Sequence, residues 1–304
     1  MSSLTVDARQ RAWMKPLVWL EVRRFALHPV FLTGLTMCTA VLIIAEREAI
    51  THPTNDRIGA AAVSMFLGLS CVLAGYRLTR SLVDADEILA VTPTAQSART
   101  AALCATCVVS ALCAAAFGVF GIVALQVWPL PDWLWGTFSW TDMVVVMAQQ
   151  TVVAAIGGTL LGVAAGRWWR FRGAGFVLLL SLAVWVFATS TVAFAFEGAG
   201  VLPKFARAFA PVTFFQTTQI NPDAVDTFAG SPGWYLMWLL ALCALAGIAA
   251  VLHGAEGVVR ARLMRLGPVV LVAAAAFLIL AATQGPQHVV RSFPDGTTTV
   301  ITSR

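Results

Sequence analysis

Seven stretches of this chain are long and apolar enough to be helices surrounded by lipid, and they constrain its fold more than any motif does. A helix rises about 1.5 Å per residue, so crossing about 30 Å of hydrocarbon takes roughly 20 apolar residues. The stretches run from Pro29 to Ala45, Ile58 to Tyr76, Thr100 to Val127, Met143 to Gly166, Ala174 to Phe194, Trp234 to His253 and Pro268 to Thr283. Charged residues are 12% of the chain, against roughly 25% in a soluble domain. The fold expected is an all-α integral membrane protein.

Lys and Arg gather on the cytoplasmic side of short loops, so their distribution predicts orientation. Fourteen basic and six acidic residues fall on the side of the N-terminus, six and nine on the other, which divides the net charge of +5 into +8 and −3. The N-terminus is therefore expected inside and, after seven spans, the C-terminus outside. The basic surplus reads as orientation and contact with anionic lipid, and no nucleic-acid role follows from it. Trp128, Trp133, Trp135 and Trp140 crowd one outer loop and Trp168 and Trp169 sit with inner arginines, as in an interfacial belt. Trp185 falls near mid-membrane.

The segments between spans carry their own signals. Residues 1–28 are expected to form a cytosolic tail and an interfacial amphipathic helix: Pro16 suits a first helical turn, with Val18, Trp19, Val22, Phe25 and Ala26 on one arc and Glu21, Arg23 and Arg24 on the other. Glu21 and Arg24 have the spacing to pair. Such a helix could also serve only to anchor the first span. The connection 77–99 is predicted to hold a short helix from Ser81 to Val91 with Ser81 as its cap, displaying Asp84, Asp86 and Glu87 on an otherwise basic face. That acidic helix suits a basic groove on a cytosolic partner, or it is simply solvated. The outer segment 195–233, with Pro203, Pro211, Pro222 and Pro232 and several phenylalanines, is expected to fold back as short helices over the outer leaflet.

Within the spans, Gly158, Gly162 and Gly166 form a stripe that lets another helix approach closely. Ser64, Gln149, Gln150, Trp185, Thr189, Ser190 and Thr191 are the candidates for a mildly polar substrate pathway, although hydrogen bonds between helices would also account for the polar ones. All six cysteines lie in spans and read as packing residues; Cys104 and Cys107 form a CxxC with no second pair, so no metal site is expected. The spans lack the Asp, Glu and Lys of an ion-coupled carrier, and the chain has no HExxH, GxSxG or GxxxxGK[ST]. No catalytic residue is expected here, and energy for any transport would come from elsewhere.

The order of parts carries a resemblance. A run reading WLEVRRFALHPVFLTG, two spans, and then YRLTRSLVDADEILAVTPTAQSARTAA resemble the membrane subunits of type-2 ATP-binding-cassette exporters, in particular the permeases of high-GC Gram-positive bacteria. That family's E-x-L-x-x-x-P-x-x-x-x-x-R-T run is matched by Glu87, Leu89, Pro93, Arg99 and Thr100, and the likeness extends over about the first 255 residues. It implies a six-span core, residues 29–253, in a bacterial cytoplasmic membrane. The core would pair with a second permease and contact a cytosolic ATPase that binds Mg-ATP. It further implies that Glu21, Arg23 and Arg24, together with Asp84, Glu87 and Arg99, transmit nucleotide-driven motion, and that segment 195–233 is a re-entrant hairpin. The departures are residues 254–283, a linker and seventh span, and the outer tail 284–304, rich in Thr and β-branched residues, which suggests an accessory helix or a contact strand. The expected function is export of a hydrophobic or amphipathic cargo such as a drug, lipid or peptide; the alternative is a scaffold or sensor that assembles a partner complex.

Overall fold

The computed structural model describes residues 3–51, 63–85, 95–127, 138–195, 218–221, 224–227, 230–286 and 288–301, with a few isolated positions between. The helices are α1 (Ser3–Ala26), α2 (Pro29–Thr51), α3 (Leu69–Asp84), α4 (Gln96–Cys104), α5 (Cys107–Val127), α6 (Trp140–Ala148), α7 (Ala154–Trp168), α8 (Ala174–Ala195), α9 (Pro232–Leu252) and α10 (Gly257–Thr283). A π-helical turn, Val63–Gly68, leads into α3, and another, Gln149–Val153, joins α6 to α7. Four short strands, β1 (Thr218–Asn221), β2 (Ala224–Thr227), β3 (Val289–Ser292) and β4 (Thr298–Ile301), form one antiparallel sheet in that order.

The protein is a membrane protein. Among the described residues four helical stretches are long and apolar enough to cross a bilayer: Gln96–Val127, Trp140–Trp168, Pro232–Leu252 and Gly257–Thr283. A fifth appears if Met14–Ala26 and Pro29–Ile44, bent by 53°, count as one. Their outward surfaces are apolar, with Leu112, Phe120, Val269 and Val272 all exposed, which in lipid needs no covering.

Several boundaries differ from the sequence reading. Helix α1 begins at Ser3, so Pro16 lies inside it, where it forfeits the bond to the Ala12 carbonyl. The α1–α2 break falls at Leu27 and His28. There the Val30 amide donates to His28 Nδ1 at 3.3 Å, and Phe25 and Phe31, both buried, pack across the corner at 4.9 Å. Ser81 is no helix cap: no breaker interrupts Arg77–Asp84, so α3 runs through it, and Arg80 pairs with Asp84 one turn on at 3.3 Å. At α6, Ser139 and Asp142 form a capping box that starts the helix at Trp140.

Helices α3 and α7 form the tightest pair. A Cβ on Gly158 would stand 2.5 Å from the Gly68 carbonyl, one on Gly162 would strike the Val72 carbonyl, and one on Gly166 would stand 2.6 Å from Thr79 Cβ. From the opposing helix, a Cβ on Gly75 would meet the Thr159 carbonyl at 2.8 Å. Both helices contribute glycine, so the backbones themselves are in contact. On either side, α2, α4 and α5 pack through Cys38, Leu42, Leu103 and Ala114, while α9 and α10 pack through Trp238, Ala241, Ala274 and Ala281.

The described residues of segment 195–233 include strands beside the expected helical turns. Positions 204–205 and 208–209 are helical, but β1 and β2 form a hairpin that is continued by β3 and β4 from the C-terminal tail. The tail is thus a pair of strands, and α9 and α10 are joined at the same end: the Ser231 amide donates to the Ala281 carbonyl and the Gly230 amide to the Pro286 carbonyl, each at 3.0 Å.

Candidate functional site

At the arginine-rich end, α1 lies across the starts and ends of its neighbours. Its apolar arc is rotated from the one expected: Phe25 and Glu21 are buried, whereas Trp19 is 69% exposed. Glu21, at 3% exposure, accepts from Arg24 Nη1 at 3.1 and 3.2 Å, and Arg24 Nη2 donates to Ser81 Oγ on α3 at 3.3 Å. Ser81 in turn donates to the Leu78 carbonyl at 2.8 Å. This chain of bonds ties α1 to the last turn of α3, the turn that leads into connection 77–99. Arg23 is exposed, Arg24 half-buried, and Asp84 exposed; Arg99, opening α4, is buried beside Thr100. Glu87 and Asp86 lie outside the described residues.

A buried polar layer crosses the other half of the bundle at the level of the two π turns. Ser64, Gln149, Gln150 and Thr151 are all at most 6% exposed. Gln149 Nε2 donates to the Pro232 carbonyl at 2.6 Å, which fastens the second π turn to the first residue of α9. Gln150 Nε2, equally buried, has no hydrogen-bond partner among the described residues. A turn lower, Ser110 Oγ lies 2.9 Å from Thr159 Oγ1 and 3.3 Å from the Ala155 carbonyl, joining α5 to α7. The Trp185 and Phe209 rings meet at a tilt with centroids 5.4 Å apart, and Phe209 and Trp238 likewise at 6.3 Å, which places Phe209 against α8 and α9. Thr189, Ser190 and Thr191 belong to α8, but their side chains lie outside the described residues.

Sequence reasoning missed Arg167, which is 1% exposed. The signal for it was present: Thr159, Val163 and Arg167 repeat every fourth residue beside the glycine stripe, so the face that buries Gly162 and Gly166 buries them as well. Cys104 and Cys107 bracket the break between α4 and α5, and the six cysteines are free.

Two polar centres therefore stand apart along the bundle. The first is mechanical, a charged clasp between α1 and α3. The second combines one satisfied amide with one unsatisfied amide in an apolar interior, an arrangement that can hold helices together or offer a donor to a bound group. Comparison with protein-family models, with curated proteins and with solved structures gives no match to this chain.

Proposed function

We propose that this chain is the permease subunit of an ATP-driven exporter in a bacterial cytoplasmic membrane. In this reading it has six core spans and a seventh, its N-terminus is inside and its C-terminus outside, and it works with a second permease and cytosolic ATPases that bind Mg-ATP. The observation that carries the reading is the Glu21–Arg24–Ser81 clasp. It couples the N-terminal helix to the helix end that feeds the acidic connection, so a partner pushing on either would move both. Glu21 is inward-facing and acts by positioning α1; the groups presented to a partner are Arg23 and Asp84, with Glu87 in the connection between.

A transmembrane pathway for a hydrophobic or amphipathic cargo would run past the π-turn layer, with Gln150 and Ser64 as its polar points and the Trp185–Phe209–Trp238 aromatic series beside it. Gln149 supports the alternative, a scaffold or sensor, because its amide is committed to the Pro232 carbonyl and serves packing.

Purification from the native membrane in mild detergent separates the two readings. A co-purifying subunit with a Walker A motif is expected, and reversing Asp84 and Glu87 to Lys should lower the amount retained while the permease still inserts. Repeated absence of any such ATPase would favour the scaffold. Orientation is checked separately by single cysteines at Arg172 and Thr299 in a cysteine-free chain: in intact cells an impermeant reagent should label only the one at 299.

A further inference from the structure

Helix α7 turns into α8 through Trp169–Gly173, and α9 turns into α10 through His253–Glu256. The two turns are fastened together. Trp168 Nε1 donates to the Ala249 carbonyl at 2.9 Å, the Trp168 ring meets His253 edge-on at 5.3 Å, and Arg170 Nη2 lies 3.3 Å from His253 Nε2. Around this junction stand Arg170, Arg172, Arg260, Arg262 and Arg265, all exposed, and the two turns themselves carry one carboxylate, Glu256. None of the five takes part in an ion pair among the described residues.

Charge alone makes this corner basic; its apolar surface says what surrounds it. Trp168 is 53% exposed, Phe171 51%, Val258 68% and Met264 56%, interleaved with the arginines. Water would not favour so much apolar surface, and hydrocarbon would not favour five guanidinium groups. The headgroup layer accommodates both, with aromatic rings at the ester level and long Arg side chains reaching outward. There the guanidinium forks need acceptors, and among the described residues the two turns carry one carboxylate, Glu256. A phosphodiester offers paired oxygens at the spacing a guanidinium reads.

We propose that this junction binds the headgroup of an anionic glycerophospholipid, with Arg170 and Arg260 on the phosphate and the acyl chains along the exposed Val269 and Val272 face of α10. The site is independent of the exporter reading, since it needs only that the junction lies at a bilayer surface.

The test is native mass spectrometry of the full chain titrated with phosphatidylglycerol or phosphatidylcholine. Wild type should prefer phosphatidylglycerol, and Arg170→Ala with Arg260→Ala should weaken that binding at least about tenfold while phosphatidylcholine binding is unchanged. Arg172→Ala with Arg262→Ala, two exposed side chains that form no ion pair among the described residues, should also weaken it should the first pair fail to fold. Arg23→Ala with Arg77→Ala removes equal charge elsewhere at the same end and should leave it intact. Unchanged binding in both junction variants would overturn the site, and an equal loss in the Arg23 and Arg77 control would reduce it to general basic attraction. Displacement of the lipid by inorganic phosphate would overturn the lipid assignment in favour of free phosphate.

Discussion

Arg291 lies directly opposite Asp226 on paired strands and donates to it twice, Nε to Oδ1 at 2.7 Å and Nη2 to Oδ2 at 2.9 Å. Asp226 is almost fully buried and Arg291 half-buried. The pair spans 65 residues of sequence and locks the tail that follows α10 onto the segment that precedes α9. Removing Arg291 strips the guanidinium from a nearly fully buried carboxylate, at a cost that approaches about 3 kcal/mol, as for a buried pair. Arg291→Met should therefore release β3 and β4, detected as faster hydrogen exchange across β2–β4. Combining it with Asp226→Leu should recover most of the loss, because no buried charge then remains.

The two adjacent glutamines of the second π turn should respond with opposite sign. Gln149→Leu loses a 2.6 Å hydrogen bond to the Pro232 carbonyl and leaves that carbonyl to find another donor. A cost of about 0.6 to 1.7 kcal/mol is typical inside a membrane. Gln150→Leu removes an amide whose Nε2 has no partner, so it should be neutral or stabilising. Thermal unfolding in detergent should show a lowered Tm for the first and an equal or higher Tm for the second. A transport defect in Gln150→Leu with that unchanged Tm would assign Gln150 to the cargo path.

What the sequence disclosed follows from which interactions are local. The Gly158–Gly162–Gly166 stripe and the Glu21–Arg24 pair are written at helical spacing, and both are found in helices, while of the apolar stretches four, or five with the bent α1–α2 pair, are described as helices long enough to cross a bilayer. The inward turn of Glu21 was not legible, because it depends on Ser81 of another helix. Nor was the sheet. Each strand is four residues long, too short for alternation to register, and β2 pairs with a strand more than sixty residues away. The Thr- and Val-rich tail did suggest a contact strand; its partner could not be named from composition. Arg167 lies on the same four-residue spacing as the buried Thr159 and Val163, but a charged residue at a helix end reads as interfacial, and its burial is overlooked.

The stripe makes a graded prediction. A methyl group on Gly162 would strike the Val72 carbonyl, backbone that cannot turn aside, so α3 and α7 must separate. Overpacking of this kind costs about 1 to 3 kcal/mol. Gly247, on α9, has only Leu160 Cδ2 near, at 4.0 Å, so alanine fits there and gains helix propensity. Gly162→Ala should lower the Tm by several degrees and Gly247→Ala should hold or raise it. Equal responses at both positions would mean that the α3–α7 contact is looser than the carbonyl geometry requires.

The β3–β4 hairpin carries a pH dependence of its own. Asp295 Oδ1 accepts from the Thr297 hydroxyl at 2.6 Å and from the Thr297 amide at 2.9 Å, closing the turn between β3 and β4 that Gly296 completes at φ +79°. Both donors favour the carboxylate, hydroxyl first, and hold the Asp295 pKa below its ordinary value. A folded-state pKa depressed in this way contributes stability above the unfolded value and loses it as pH falls through the folded one. The turn should therefore be intact at neutral pH and loosen below about pH 4. Asp295→Asn keeps an acceptor oxygen for Thr297 but cannot be protonated, so the acid-induced loosening should disappear. Amide exchange at Thr297 and Val300, corrected for intrinsic rates, measures this directly; an identical acid response in the Asn variant would place the pH dependence on another group of the sheet.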